Sequence, residues 1–153
     1  REEVMANIEE IIFRCCTVKK DVVEQDEKEK NLRMILNFGH TFGHAIEKCF
    51  QYKTYTHGEA VSMGMVFISE MSFRIGICSK DTAERIRTLL QKFSLPVDFP
   101  CIKPEDVLSA VIKDKKARTN SINLVLIEDI GRVRIEPFSK DRIGGLIYEM
   151  LGN

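Results

Sequence analysis

Excess charge of either sign is missing from this sequence. Among 153 residues, 23 Lys and Arg balance 23 Asp and Glu. A non-specific nucleic-acid binder needs a basic excess, so no nucleic-acid partner is expected. No C-x-x-C pair occurs and the five cysteines are an odd number. A disulfide framework and a zinc ribbon are thereby disfavoured, and Cys15, Cys16, Cys49, Cys78 and Cys101 read as buried, reduced thiols of a cytoplasmic protein. No apolar run reaches the 18 or so residues of a membrane span, so no membrane partner is expected. The opening REEVMANIEE is acidic and amphipathic, unlike a signal peptide. With no initial Met and a start in helical pattern, the chain reads as a piece of a longer protein. Repeats, low-complexity tracts and a G-x-G-x-x-G fingerprint after a strand are also absent.

What is present suits one globular domain: 44% hydrophobic and 30% charged residues. Val4, Ile8, Ile11, Ile12, Cys15 and Val18 fall at helical steps and predict a helix to about residue 23, one face on the core. The charged run 24–30 reads as a solvated turn or helix start. Leu32, Ile35, Leu36, Phe38, Phe42, Ala45, Ile46 and Cys49 predict a second helix within 31–50, with Gly39 and Gly43 on one face. A face without side chains lets a backbone or a ligand approach closely. Residues 51–56 read as a loop, and 57–75 as a largely buried helix ended by Gly76. Ser79 and Ser139 read as N-caps and Pro104 as the first turn of a further helix. The β-branched run 121–128, a turn at 128–131 and the alternating RVRIEPF predict a hairpin. The fold class expected is mainly α: five or six helices, bundle-like, with one small β-hairpin.

All three histidines, His40, His44 and His57, lie within one short window. His40 and His44 are spaced for one helix face, as in two-histidine metal sites. The protease pattern H-E-x-x-H fails, because Thr41 follows His40. His57 opens a helix, where imidazole tends to stay neutral and available to a metal. Glu47, Glu59 and Glu70 are candidate third ligands, none with compelling spacing. Arg33, Asn37, His40 and His44 predict a polar ladder along one helical face, with Lys19 upstream. Arginine grips carboxylate or phosphate as a fork, so an anionic, oxygen-rich small molecule fits. Lys115 and Lys116 form a second basic spot that, on residues alone, reads as a solvated loop.

LNFGHTFGHAIE (36–47) followed by HGEAVSMGM (57–65), with KKDVVEQDEKEKNLR upstream and KDKK downstream, closely resembles the C-terminal part of the 3-dehydroquinate synthase family. The resemblance implies a two-domain enzyme with its site in the cleft. The NAD-binding Rossmann-like domain lies outside this chain, and residues 1–153 form the helical metal- and substrate-binding domain. It implies a carbon–oxygen lyase of the shikimate pathway, in aromatic amino acid biosynthesis. That enzyme converts 3-deoxy-D-arabino-heptulosonate 7-phosphate to 3-dehydroquinate and phosphate, using Zn2+ or Co2+ and NAD, usually as a cytoplasmic homodimer. His40 and His57 resemble the metal ligands, whose glutamate partner precedes Arg1, and this replaces the pairing of His40 with His44. His44 resembles a histidine near the substrate phosphate, Arg33 the carboxylate-binding arginine, and Lys19 and Asn37 substrate contacts. One of Lys115 and Lys116 matches a lysine near the phosphate, and Glu29 an orienting charge. Taken alone, the chain is expected to fold without catalysing. The alternatives are a sister sugar-phosphate cyclase of the 2-deoxy-scyllo-inosose type, a metal-dependent polyol dehydrogenase domain, and a non-catalytic helical metal-binding module. Arg33 favours a substrate with a carboxylate.

Overall fold

The computed structural model describes residues 2–27, 32–114 and 121–152. Two helices open the chain, α1 (Glu2–Ala6) and α2 (Ile8–Gln25), followed by a 3-10 turn at Leu32–Asn37. Then come α3 (His40–Cys49), α4 (His57–Arg74), α5 (Lys80–Lys92) and α6 (Pro104–Asp114). Strands β1 (Ser121–Asp129) and β2 (Arg132–Ser139) lead into α7 (Lys140–Leu151). The mainly α class with one antiparallel hairpin is as expected. No helix among the described residues is long and apolar enough to cross a membrane.

Local signals explain most boundaries. Thr56 and Glu59 form a reciprocal capping box at the start of α4, each satisfying a backbone N–H of the other. The Thr56 backbone N–H and then its hydroxyl hold the Glu59 carboxyl below its ordinary value. Thr56→Ala is expected to lower stability by about 1 kcal/mol, read as a drop in the urea midpoint at unchanged slope. At the other end of α4, Gly76 takes φ +75°, and the Gly76 and Ile77 N–H groups bond back to Phe73 and Ser72. Those paired bonds close a Schellman cap. Ser79 and Ser139 cap α5 and α7 through Thr82 N–H and Arg142 N–H. Gly131, at φ +82°, turns the hairpin, and its register runs from Ser121 opposite Ser139 to Asp129 opposite Arg132.

The core lies between α3, α4, α6, α7 and the hairpin, where Phe42, Met71, Val111, Leu124, Phe138 and Ile147 are fully buried. A second cluster joins Ile127 to Val66, Ile86, Leu90 and Val97, so β1 is covered on both sides. Ser72 ties these layers: its hydroxyl donates to the Ile68 carbonyl and accepts the Ile127 N–H.

Three expectations fail. The first helix divides at Asn7, and α2 buries none of its residues; Met5, Ile12, Phe13 and Val18 are exposed. Its apolar stripe has the helical period without a core to face. Second, the helix expected within 31–50 is interrupted, because Gly39 stands at φ +80° in the left-handed region and an α-helix cannot pass through it. Arg33 and Asn37 therefore lie on a 3-10 turn and His40 and His44 on α3, which breaks the single-face ladder. Third, the cysteines are free but none is buried: Cys15, Cys16 and Cys101 are exposed, Cys49 and Cys78 half-buried. Partial burial still pushes the Cys49 and Cys78 thiols up.

Candidate metal and substrate site

Close helix contact builds the site. α3 packs against α4 through glycines: a Cβ on Gly43 would meet Val61 Cα at 3.0 Å, and one on Gly64 would meet Gly43 N at 2.7 Å and collide with the Gly39 carbonyl. The approach foreseen for Gly39 and Gly43 is thus that of another backbone. It brings His40 and His44, on α3, against His57, the first residue of α4. The ring centroids of His40 and His57 are 5.3 Å apart, those of His40 and His44 5.7 Å, and those of His44 and His57 5.8 Å.

Each ring position has a local cause. Gly39 starts α3 abruptly, and the His40 Nδ1–H donates to the Phe38 carbonyl at 3.3 Å. A carbonyl only accepts, so the proton sits on Nδ1 and the Nε2 lone pair is available. Burial pushes the His40 imidazole below its ordinary value; the Phe38 carbonyl opposes this, and His57 and His44 add to it. His57 is held from the side by Glu47, whose Oε1 lies 3.1 Å from His57 Nδ1. Donor atoms of His44, Glu47 and His57 also lie within 4.8 Å of one another.

His40 is at the same time one wall of a cleft of about 580 Å³. The other walls include Arg14, Lys19, Arg33, Leu36 and Asn37. No carboxylate lines the cleft among the described residues, so three cations face one hollow. Arg33 is anchored by its backbone N–H on the Asp26 carboxylate at 3.0 Å and by its guanidinium on the Glu27 carbonyl at 3.5 Å. The structure therefore brings Lys19, Arg33, Asn37 and His40 together, and His44 and His57 beside them. Glu29, Lys115 and Lys116 lie outside the described residues. Glu59 is committed to its cap, and Glu70 faces Arg74 at 3.8 Å. Arg14 was missed by the sequence reading; its place in the cleft follows only from α2 lying beside the 3-10 turn.

The 3-dehydroquinate synthase C-terminal family profile matches residues 1–117. The chain belongs to that family. It is 48% identical over 134 residues to the 3-dehydroquinate synthase of Clostridium acetobutylicum, covering 88% of this chain and 38% of the relative. It is 37% identical over 148 residues to that of Clostridium kluyveri, covering 97% of this chain and 41% of the relative. The chain thus spans about two fifths of the length of these curated relatives. Among solved structures, a 2-deoxy-scyllo-inosose synthase complexed with carbaglucose-6-phosphate, NAD+ and Co2+ superposes with TM-score 0.80 at 27% identity. That match covers 94% of this chain and 41% of the other. A 2-epi-5-epi-valiolone synthase from Streptomyces hygroscopicus with NAD+ and Zn2+ bound shares the fold, with TM-score 0.71 at 23% identity over 86% of this chain and 36% of that one.

Proposed function

We propose that these residues are the metal- and substrate-binding part of a 3-dehydroquinate synthase. The reaction is conversion of 3-deoxy-D-arabino-heptulosonate 7-phosphate to 3-dehydroquinate and phosphate, in aromatic amino acid biosynthesis. One observation carries the reading: His40 belongs both to the histidine cluster and to the wall of the cleft holding Arg33, Lys19 and Asn37. That shared position supports a reading in which one small molecule meets both the histidine cluster and the Arg33 fork.

The donor set suits Zn2+ or Co2+. Imidazole nitrogens are ligands for both, and His40 and His57 form the closest ring pair. Bound there, the ion would polarise the oxygen on the carbon that is transiently oxidised. The cyclase structure at 27% identity holds NAD+; in the reading proposed here, NAD held by the expected Rossmann-like domain outside this chain would supply hydride acceptance and return. Arg33 grips the substrate carboxylate in a two-pronged fork. Lys19 and Asn37 hold hydroxyl and phosphate oxygens across the cleft. His44, beside the metal ligands, hydrogen-bonds near the phosphate that leaves as its neighbouring C–H is deprotonated. Lys115 and Lys116 lie outside the described residues; the resemblance alone assigns one of them a role near the phosphate.

The 2-deoxy-scyllo-inosose synthase likeness favours a second reading, a sister cyclase whose substrate lacks a carboxylate. Arg33 supports the first, as does the higher identity to the clostridial synthases. The deciding assay uses the full-length protein with each substrate in parallel. Phosphate release is expected from heptulosonate 7-phosphate and not from glucose 6-phosphate; the reverse result overturns the proposal. For the metal, Co2+ titration of the chain is expected to weaken more than about tenfold in His40→Ala and in His57→Ala. His44→Ala is expected to change it less than about threefold. A larger loss in His44→Ala than in His40→Ala would move the centre to His44, Glu47 and His57.

A further inference from the structure

We infer that Glu47 is the positioning residue of the metal centre: it fixes the tautomer of His57, so that the Nε2 lone pair of that ring faces the ion. This rests on the reading of His40 and His57 as ligands.

Glu47 is a carboxylate at only 9% exposure on α3. A buried charge of that kind is tolerated only with a partner. Its Oε1 lies 3.1 Å from His57 Nδ1. An ionised carboxylate only accepts, so in the neutral ring the bond requires the proton on Nδ1 and leaves the lone pair on Nε2. The opposite tautomer would turn an N–H toward the ion. His57 cannot be locked by packing alone, since its side chain is 56% exposed. The neighbouring ligand is set in the same state by other means, the Phe38 carbonyl on His40 Nδ1. Both rings therefore present Nε2, one oriented by a backbone acceptor and one by a side-chain acceptor.

The backbone reinforces this. The Glu47 carbonyl accepts the Tyr52 N–H at 2.7 Å, and Gln51 and Tyr52 take φ +54° and +58°. The same residue thus fastens the connection that delivers His57 and the ring itself. Glu47 Oε2 stays open while Oε1 accepts the His57 N–H, so ligation by Glu47 is a distinct outcome that the Glu47→Gln variant separates.

Two measurements on the metal-free and Co2+-titrated chain test the assignment. Ring-nitrogen NMR at about pH 8.5, well above the ordinary imidazole value of about 6.5, reads each tautomer directly. Wild type is expected to show His57 as Nδ1–H. Glu47→Ala is expected to shift His57 toward Nε2–H, leave His40 unchanged and weaken Co2+ binding about 10–100-fold. Glu47→Gln, whose amide oxygen still accepts, is expected to keep the Nδ1–H tautomer and recover most of that affinity; it also serves if the alanine variant does not fold. Three results overturn the inference: His57 remaining Nδ1–H in Glu47→Ala, Co2+ affinity there within about threefold of wild type, or a glutamine variant as weak as alanine with its tautomer intact. The last marks Glu47 as a ligand. Failure of the ligand reading appears separately, as unchanged Co2+ affinity in His40→Ala, while the tautomer measurement stands on its own.

Discussion

Gly64→Ala is expected to cost about 3 kcal/mol of stability. The new carbon would stand 2.7 Å from Gly43 N and inside contact distance of the Gly39 carbonyl. Both are main-chain atoms of α3 or its cap, so relief means moving a helix rather than rotating a side chain. The displaced helix carries His40 and His44, so Co2+ affinity should fall together with the melting temperature. Gly145→Ala is the control. It lies within α7 with nothing within 4 Å of the added carbon. There alanine is expected to gain about 0.5–1 kcal/mol from helix propensity. Thermal melts of the two variants should therefore move in opposite directions. Equal shifts would show that α3 and α4 are not held by backbone contact.

Arg33→Ala, in the full-length protein, is expected to lower kcat/KM for heptulosonate 7-phosphate by about 30- to 4,000-fold, the range for removing one partner of a hydrogen-bonded charge pair. Arg33→Lys should recover little, because an ammonium cannot supply the planar fork. The Asp26 bond to Arg33 uses the backbone N–H and survives both changes, so the local turn should persist. Steady-state phosphate release checks the size of the loss, and circular dichroism checks the fold. A substitution that left kcat/KM within threefold would remove the carboxylate fork, and with it the strongest distinction from the sister cyclases.

Much of the architecture was readable because its signals are local. Ser79, Pro104, Ser139, Gly76 and the turn ending at Gly131 each act within a few residues, and the elements begin and end where they dictate, while the Thr56–Glu59 cap, equally local, went unread because Glu59 counted among the candidate ligands. The histidine cluster was readable as a clustering in number. Its pairing was not, since spacing alone joined His40 to His44, whereas the closest rings belong to His40 and His57 across the loop 50–56. That loop turns through left-handed Gln51 and Tyr52, which no residue preference announces. Glu47 stood three positions after His44, but its partner sits on another helix. The break at Gly39 was hidden for a different reason. The apolar period continues through it, and periodicity does not report whether one glycine is helical or left-handed. On α2 the period was likewise genuine, yet Ile12 is 56% and Val18 60% exposed. A repeat of apolar residues reveals a face and not what meets it.

Where two main chains touch, nothing remains to be compressed. The gap between the α3 imidazoles and His57 is inherited from peptide planes at Gly39, Gly43 and Gly64, so in the centre proposed for these rings a cation of another radius would not be accommodated by sliding those helices. Whatever give the proposed centre has must come from side-chain rotation and from the short connection before His57, both restrained at His57 by Glu47. Retuning which ion it prefers is accordingly a problem of randomising residues 50–56, while diversity introduced at the three glycines would only sample broken proteins.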